Sequence, residues 1–238
     1  MNESNALIKL DDVKSIAEFL QQPAIKIAEF LTGLLVSETK DWKLSAGRLV
    51  QASIKWKLFT QLGREIKDYI DKGKIEEDFL DIERNRQSLN DLLKFIDESA
   101  PEEDRFNAMK TLFLKSVFKD SSEEKQLLSY QFMKLCKGLE SSDLLIIKAA
   151  YDIGKGRLAA DLKSTEIDPN VASAEGWLKI ISKQIGHGIM SLVEVNEDKL
   201  VNLKLISPRI HSDRSGIRST KNYRLTDLGL RVCEYIYE

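Results

Sequence analysis

Apolar residues spaced three and four positions apart run through most of this 238-residue chain. That period is typical of an α-helix with one buried face, whereas a half-buried strand would alternate at every second residue. Only four prolines and twelve glycines interrupt the pattern. The longest apolar stripe lies between Ser45 and Gly73 and passes through Phe59, Leu62 and Ile66. The spacing therefore predicts a mainly α-helical protein.

Residues 1–140 predict an array of antiparallel helices. Further apolar stripes occupy Asp11–Gln21 and Ile75–Ile96, and Pro101 is suited to the first turn of another helix. We expect residues 1–140 to form an all-helical domain and residues 141–238 to form a second domain. The stripe between Ser45 and Gly73 could be buried inside one chain or against a second copy. The sequence thus leaves a homodimer open.

The pattern changes in the last hundred residues. A short apolar helix begins near Ser142 and Asp143, and two more helical stripes follow at Ala172–Gly186 and Ile189–Leu203. The period then becomes that of strands. Two short strands are predicted at Leu205–Ile210 and Asn222–Thr226, on either side of a polar loop, and a last helix is predicted from Thr226 to Tyr237.

Two phrases near the end of the chain resemble those of winged-helix regulators. In that family a helix ends in Leu-x-x-x-Gly-Leu-Ile, a hairpin called the wing follows, and Tyr-x-Leu-Thr-x-x-Gly begins the final helix. Leu200–Ile206 matches the first phrase, with Lys204 where glycine is usual, and Tyr223–Gly229 matches the second. The resemblance implies a winged-helix domain with a small β-hairpin. Independently of it, Thr226 is a good helix N-cap residue.

The predicted wing is basic. Its positive residues, set against the single acid Asp213, are Arg209, Arg214, Arg218, Lys221 and Arg224. Such a loop could contact the phosphates of double-stranded DNA or a protein partner, and it could equally be a solvated hairpin tip. The helix before it carries three acids, Glu194, Glu197 and Asp198, against Lys199 and Lys204. Acids disfavour entry of that helix into a DNA groove, so protein contact is the better interpretation.

Three phrases of the chain resemble the abortive-infection alpha family of bacterial phage-resistance proteins. They are Ala100–Val117, Glu140–Tyr151 and Tyr223–Gly229. That family often has a tryptophan in the phrase that Ala100–Val117 matches. The tryptophan is absent here, and Phe113 or Leu114 stands near its position. The resemblance implies a role in phage defence and brings no catalytic residues with it.

Residues suited to catalysis or metal binding are scarce. His187 and His211 are the only histidines, and Cys136 and Cys233 both lie in apolar helical patterns where a free cysteine packs as a small hydrophobe. We therefore expect no catalytic residues, no cofactor and no metal. The net charge is −2, and no segment approaches the roughly 20 apolar residues of a membrane span.

These features predict a cytoplasmic, non-enzymatic interaction or regulatory protein. Its winged helix would bind a macromolecular partner, with a role in phage defence implied by the family resemblance. The alternative is a DNA-binding transcriptional regulator whose helical domain forms the dimer. Salt-dependent binding to duplex DNA would distinguish the two.

Overall fold

The structure, a computed structural model, describes residues 46–99, 101–159, 162, 174–186, 190–208 and 223–238. Within those ranges the chain is mainly helical, with eight α-helices and no β-strand. The chain divides into two compact units, Met1–Gly138 and Leu139–Glu238. The helices of the first unit are α1 (Ala46–Asp71), α2 (Glu83–Ser99), α3 (Glu103–Val117) and α4 (Glu123–Cys136). Those of the second are α5 (Ser141–Gly154), α6 (Ala174–Ile185), α7 (Met190–Asn202) and α8 (Asp227–Tyr237).

In the first unit α3 is the central helix, packing against α1, α2 and most extensively α4. The apolar stripe predicted on α1 is buried from Phe59 through Leu62 and Ile66 to Ile70. Helix α1 ends as the sequence predicts, because Gly73 adopts a left-handed φ of 66° just beyond it. This part of the stripe is covered within the chain and needs no second copy to bury it.

The single helix predicted at Ile75–Ile96 is wrong. A short 3₁₀ turn at Phe79–Asp81 precedes α2, which begins only at Glu83. The side-chain amide of Asn85 donates a hydrogen bond of 2.8 Å to the Phe79 carbonyl, which holds the turn against the start of the helix. Phe79 and Leu80 are buried by this turn, whereas Ile82 remains 52% exposed.

In the second unit α5 contacts α6, α7 and α8, and α6 also packs against α7. Trp177 and Ile181 of α6, Leu200 of α7 and Val232 of α8 are among the buried side chains. The two cysteines are free and buried, as predicted. Burial raises the pKa of the Cys136 thiol to about 12, so this thiol stays protonated at neutral pH.

The two strands predicted around the polar loop are not formed as strands in the described residues. One antiparallel bridge joins Ile206 to Leu225. The Ser207 amide donates to the Arg224 carbonyl at 2.8 Å, and the Thr226 amide donates to the Leu205 carbonyl at 3.1 Å. Extended pairing cannot continue past Leu225, because Arg224 and Tyr223 have left-handed φ values of 70° and 50°. Residues 209–222 lie outside the described residues.

The junction between the bridge and α8 follows the sequence closely. Thr226 is the N-cap of α8, where its hydroxyl accepts a hydrogen bond of 3.0 Å from the Gly229 amide, as predicted. Lys204, which replaces the glycine usual in the winged-helix phrase, has a φ of 61°. A left-handed residue just after a helix is in the conformation that glycine adopts most easily.

Candidate functional site

Of the five predicted contact residues, only Arg224 lies within the described residues. Arg209, Arg214, Arg218 and Lys221 lie outside them, as do His187 and His211. The described residues therefore include one of the five, and the predicted cluster of basic residues stays a prediction. The second unit is still informative, because Arg224 and the helix before the polar loop, α7, are both described.

Arg224 is directed into the second unit. Its guanidinium lies 4.3 Å from the ring centroid of Trp177, and its Nη2 atom is 2.7 Å from Oε1 of Glu197. Its Nε atom also donates a hydrogen bond of 3.1 Å to the Ser207 carbonyl. Arg224 is 8% exposed, Glu197 4% and Trp177 2%. The arginine thus connects the bridge to both α6 and α7 as an interior structural residue.

The backbone conformation explains how Arg224 reaches this position. Two consecutive residues, Tyr223 and Arg224, adopt left-handed φ values, which turn the chain sharply before it pairs at Leu225. Such conformations cost energy for residues with a Cβ, so the surrounding contacts must compensate. Burial raises the pKa of the Tyr223 phenol, and the positive charge of Arg224 only partly opposes that shift.

A second ion pair connects α7 to α5. The Lys199 ammonium lies 2.5 Å from Oδ2 of Asp143, a side chain that is 0% exposed. The same carboxylate oxygen accepts a hydrogen bond of 2.8 Å from the Glu140 amide at the start of α5. Lys199 was one of two lysines expected to offset the acids of α7. Its positive charge is instead balanced by a buried carboxylate of the neighbouring helix.

The exposed side of α7 is apolar and acidic. Val195 is 76% exposed, Met190 45% and Leu192 43%, and they are among the most exposed large apolar residues described in the protein. Glu194 and Asp198, one helical turn apart, are exposed beside them. Leu192 and Val195 are three residues apart and lie on one side of the helix, whereas Met190 lies on another side, so the first two form a small exposed patch.

An open groove lies next to this patch, between α5, α6 and α7. Its volume is about 140 Å³. The apolar residues that line it are Leu145, Ile146, Ile185, Leu192 and Val193. Two hydroxyl side chains, Ser142 and Ser182, complete the lining. We call this cavity the α7 groove; Leu192 belongs both to the groove and to the exposed patch.

The described part of the second unit has two surfaces for contact, the α7 groove and the exposed apolar residues of α7. Among the described residues, no three His, Cys, Asp or Glu side chains come together as a metal site would require. No helix in the described ranges is long and apolar enough to cross a membrane. The groove walls are apolar, and the hydroxyls of Ser142 and Ser182 donate hydrogen bonds within the chain, to Asn196 and to the Lys179 carbonyl.

No protein-family model, curated protein or solved structure matches this chain.

Proposed function

We propose that this chain is a non-enzymatic interaction protein whose second unit is a winged-helix-type module. The order of elements supports this proposal: three helices, an antiparallel bridge and a final helix capped by Thr226. The left-handed Lys204, at the usual glycine position, supports it further. In such a module α7 occupies the position of the recognition helix.

The partner of this module is a protein rather than DNA, and the surface of α7 carries that proposal. A helix that enters the major groove presents Arg, Lys, Asn or Gln to base edges and phosphates. On α7 the ammonium of Lys199 is held by the buried Asp143, while Leu192, Val195 and Asp198 are exposed. An apolar patch beside carboxylates repels phosphates and suits a protein surface.

The alternative is a DNA-binding transcriptional regulator that uses the wing alone. The sequence of residues 209–221 favours it, because Arg209, Arg214, Arg218 and Lys221 stand against one acid, Asp213. Basic side chains that track phosphates give binding that weakens steeply with salt. In this alternative Arg224 is not a contact residue, because its guanidinium is engaged with Glu197 and Trp177.

A fluorescence-anisotropy titration against random duplex DNA tests the proposal. We expect no rise in anisotropy up to about 10 µM protein at low salt, a range in which non-specific DNA binders respond. The Arg214→Glu/Arg218→Glu variant is measured in parallel and is expected to behave identically. Micromolar binding that falls steeply with salt and is lost in the double variant would instead establish the DNA-binding alternative.

We also propose a role in phage defence, supported only by the resemblance of Ala100–Val117, Glu140–Tyr151 and Tyr223–Gly229 to abortive-infection alpha proteins. Expression of the full chain in a bacterial host is expected to lower the number of phage plaques relative to the empty vector. The Val195→Asp variant, which places a charge on the α7 patch, is expected to restore plaque numbers at equal expression. Equal plaque counts with wild-type protein and empty vector, across several unrelated phages, would count against this role.

A further inference from the structure

The α7 groove has the size of one apolar side chain. Its volume of about 140 Å³ is close to the ~150 Å³ of an engineered protein cavity that binds benzene. The walls are formed by side chains of three different helices, so the groove is part of the packed second unit and does not depend on a loop. An open apolar cavity of this size is suited to a single anchoring residue, such as Leu or Phe, of a larger partner.

The charges next to the groove restrict the chemistry of that partner. Asp198 is exposed on α7 and has no ion-pair partner among the described residues. The nearest lysine along the helix, Lys199, is already paired with Asp143. The side of the groove formed by α5 and α6 contributes only the hydroxyls of Ser142 and Ser182 as polar groups. A partner therefore gains from Lys or Arg on the side that faces α7.

The exposed patch extends this surface along the helix. Leu192 and Val195 are three residues apart, so they form a short apolar ridge next to the groove. A ridge beside an apolar groove fits the apolar face of an amphipathic helix, which anchors through residues at spacings of three and four.

From these features we infer that the α7 groove binds an amphipathic helix of a partner protein. One apolar side chain of that helix enters the groove, its neighbours pack on Leu192 and Val195, and its Lys or Arg residues face Asp198. This inference rests on the proposed protein-binding function and specifies the chemistry of the partner. The occupant is a separate protein rather than a second copy, because α7 itself is acidic and would repel an identical helix at the same surface.

Three fluorescein-labelled peptides of about five helical turns test the inference against the full chain. The first has one face of Leu and is otherwise Lys; the second replaces Lys by Glu; the third has the composition of the first in a scrambled order without an apolar face. We expect micromolar binding of the first peptide only. The Glu peptide tests the charge complementarity, and the scrambled peptide separates helix recognition from general attraction between lysines and an acidic protein.

Protein variants then locate the binding site. Leu192→Asp is expected to weaken binding of the first peptide by about tenfold or more, because it places a charge at the anchoring groove. Asp198→Lys is expected to weaken it and to reduce its dependence on salt. Leu127→Asp is the matched control: Leu127 lies in the first unit and is 45% exposed, close to the 43% of Leu192. Circular dichroism and urea unfolding establish that each variant is folded.

Several results would overturn the inference. One is that the scrambled or the Glu peptide binds as tightly as the first peptide. Another is that folded Leu192→Asp binds the first peptide as tightly as the wild-type protein. The third is that Leu127→Asp loses as much affinity as Leu192→Asp. A dimer in sedimentation velocity that Leu192→Asp converts to a monomer would identify a second copy as the occupant. The DNA titration distinguishes this inference from the proposed function. If neither the peptides nor DNA bind, only this inference is contradicted. Salt-dependent binding of DNA would contradict the proposed function.

Discussion

Replacing Arg224 by methionine is expected to lower the free energy of unfolding by about 3–5 kcal/mol, the cost typical of removing one partner from a buried ion pair. The substitution leaves the carboxylate of Glu197, which is 4% exposed, without its guanidinium partner. It also removes the cation that lies 4.3 Å from the Trp177 ring. Urea unfolding followed by circular dichroism measures the loss, and hydrogen exchange identifies the second unit as the part that opens.

Two further variants make this prediction specific. Arg231→Met changes an exposed arginine on α8 and is expected to alter stability by no more than about 0.5 kcal/mol. The double variant Arg224→Met/Glu197→Leu removes both charges and is expected to regain much of the stability lost by Arg224→Met. A loss of less than about 1 kcal/mol in Arg224→Met would show that the pair contributes little.

Replacing Gly229 by alanine is expected to destabilise the protein by about 3 kcal/mol or more, at the upper end of the costs of overpacking. A Cβ at this position would lie 2.0 Å from the Leu205 carbonyl oxygen and 2.9 Å from its carbon. The obstacle is backbone, so no side-chain rotation relieves it. The Leu205 carbonyl also accepts the hydrogen bond from the Thr226 amide, and moving it would disrupt the pairing at the bridge. Thermal and urea unfolding measure the effect.

Gly138→Ala is the control for this substitution. A Cβ on Gly138 would meet its nearest atom, the Leu135 carbonyl oxygen, at 3.7 Å, an ordinary van der Waals contact. We expect that variant to change stability by less than about 1 kcal/mol. If Gly229→Ala proved as stable as Gly138→Ala, the close approach of α8 to Leu205 would be contradicted. The helix propensity of alanine, which gains about 1 kcal/mol over glycine, acts in favour of Gly229→Ala, because Gly229 lies within α8, whereas Gly138 lies beyond the end of α4.

Helical periodicity was sufficient to predict α1 and the mainly helical character of the chain. The buried Phe59, Leu62, Ile66 and Ile70 lie on one face because residues at spacings of three and four fall on the same side of an α-helix. The N-cap at Thr226 was predictable for a similar reason, since the hydrogen bond it makes is local. The 3₁₀ turn before α2 was not, because it depends on the side chain of Asn85 reaching the Phe79 carbonyl.

The face that α7 buries was predicted incorrectly in part. The apolar stripe predicted at Ile189–Leu203 includes Leu192, which is exposed, whereas Glu197, one of the three acids set against DNA binding, is buried. The sequence did contain a signal, because Val193, Glu197 and Leu200 lie at spacings of four and three and form the buried face together. An acid in the middle of an apolar stripe suggests a buried partner, and that partner, Arg224, had been assigned to the surface.

The predicted strands show a different limit. Alternating residues around Leu205 and Leu225 favoured a hairpin, yet Lys204, Tyr223 and Arg224 adopt left-handed conformations. Residues with a Cβ rarely adopt a left-handed φ, so the local sequence did not predict these conformations. The cost is offset by tertiary contacts, chiefly the burial of the Arg224 side chain among Trp177, Glu197 and the Ser207 carbonyl.

The position of Arg224 also has a thermodynamic consequence. It lies three residues after Lys221, the last residue of the basic segment, and it contacts α6 and α7 at the same time. A ligand of that segment that displaces Arg224 must also separate it from Glu197 on α7. It must also remove the guanidinium from the Trp177 ring on α6. The free energy needed to break these contacts is subtracted from the affinity of any such ligand.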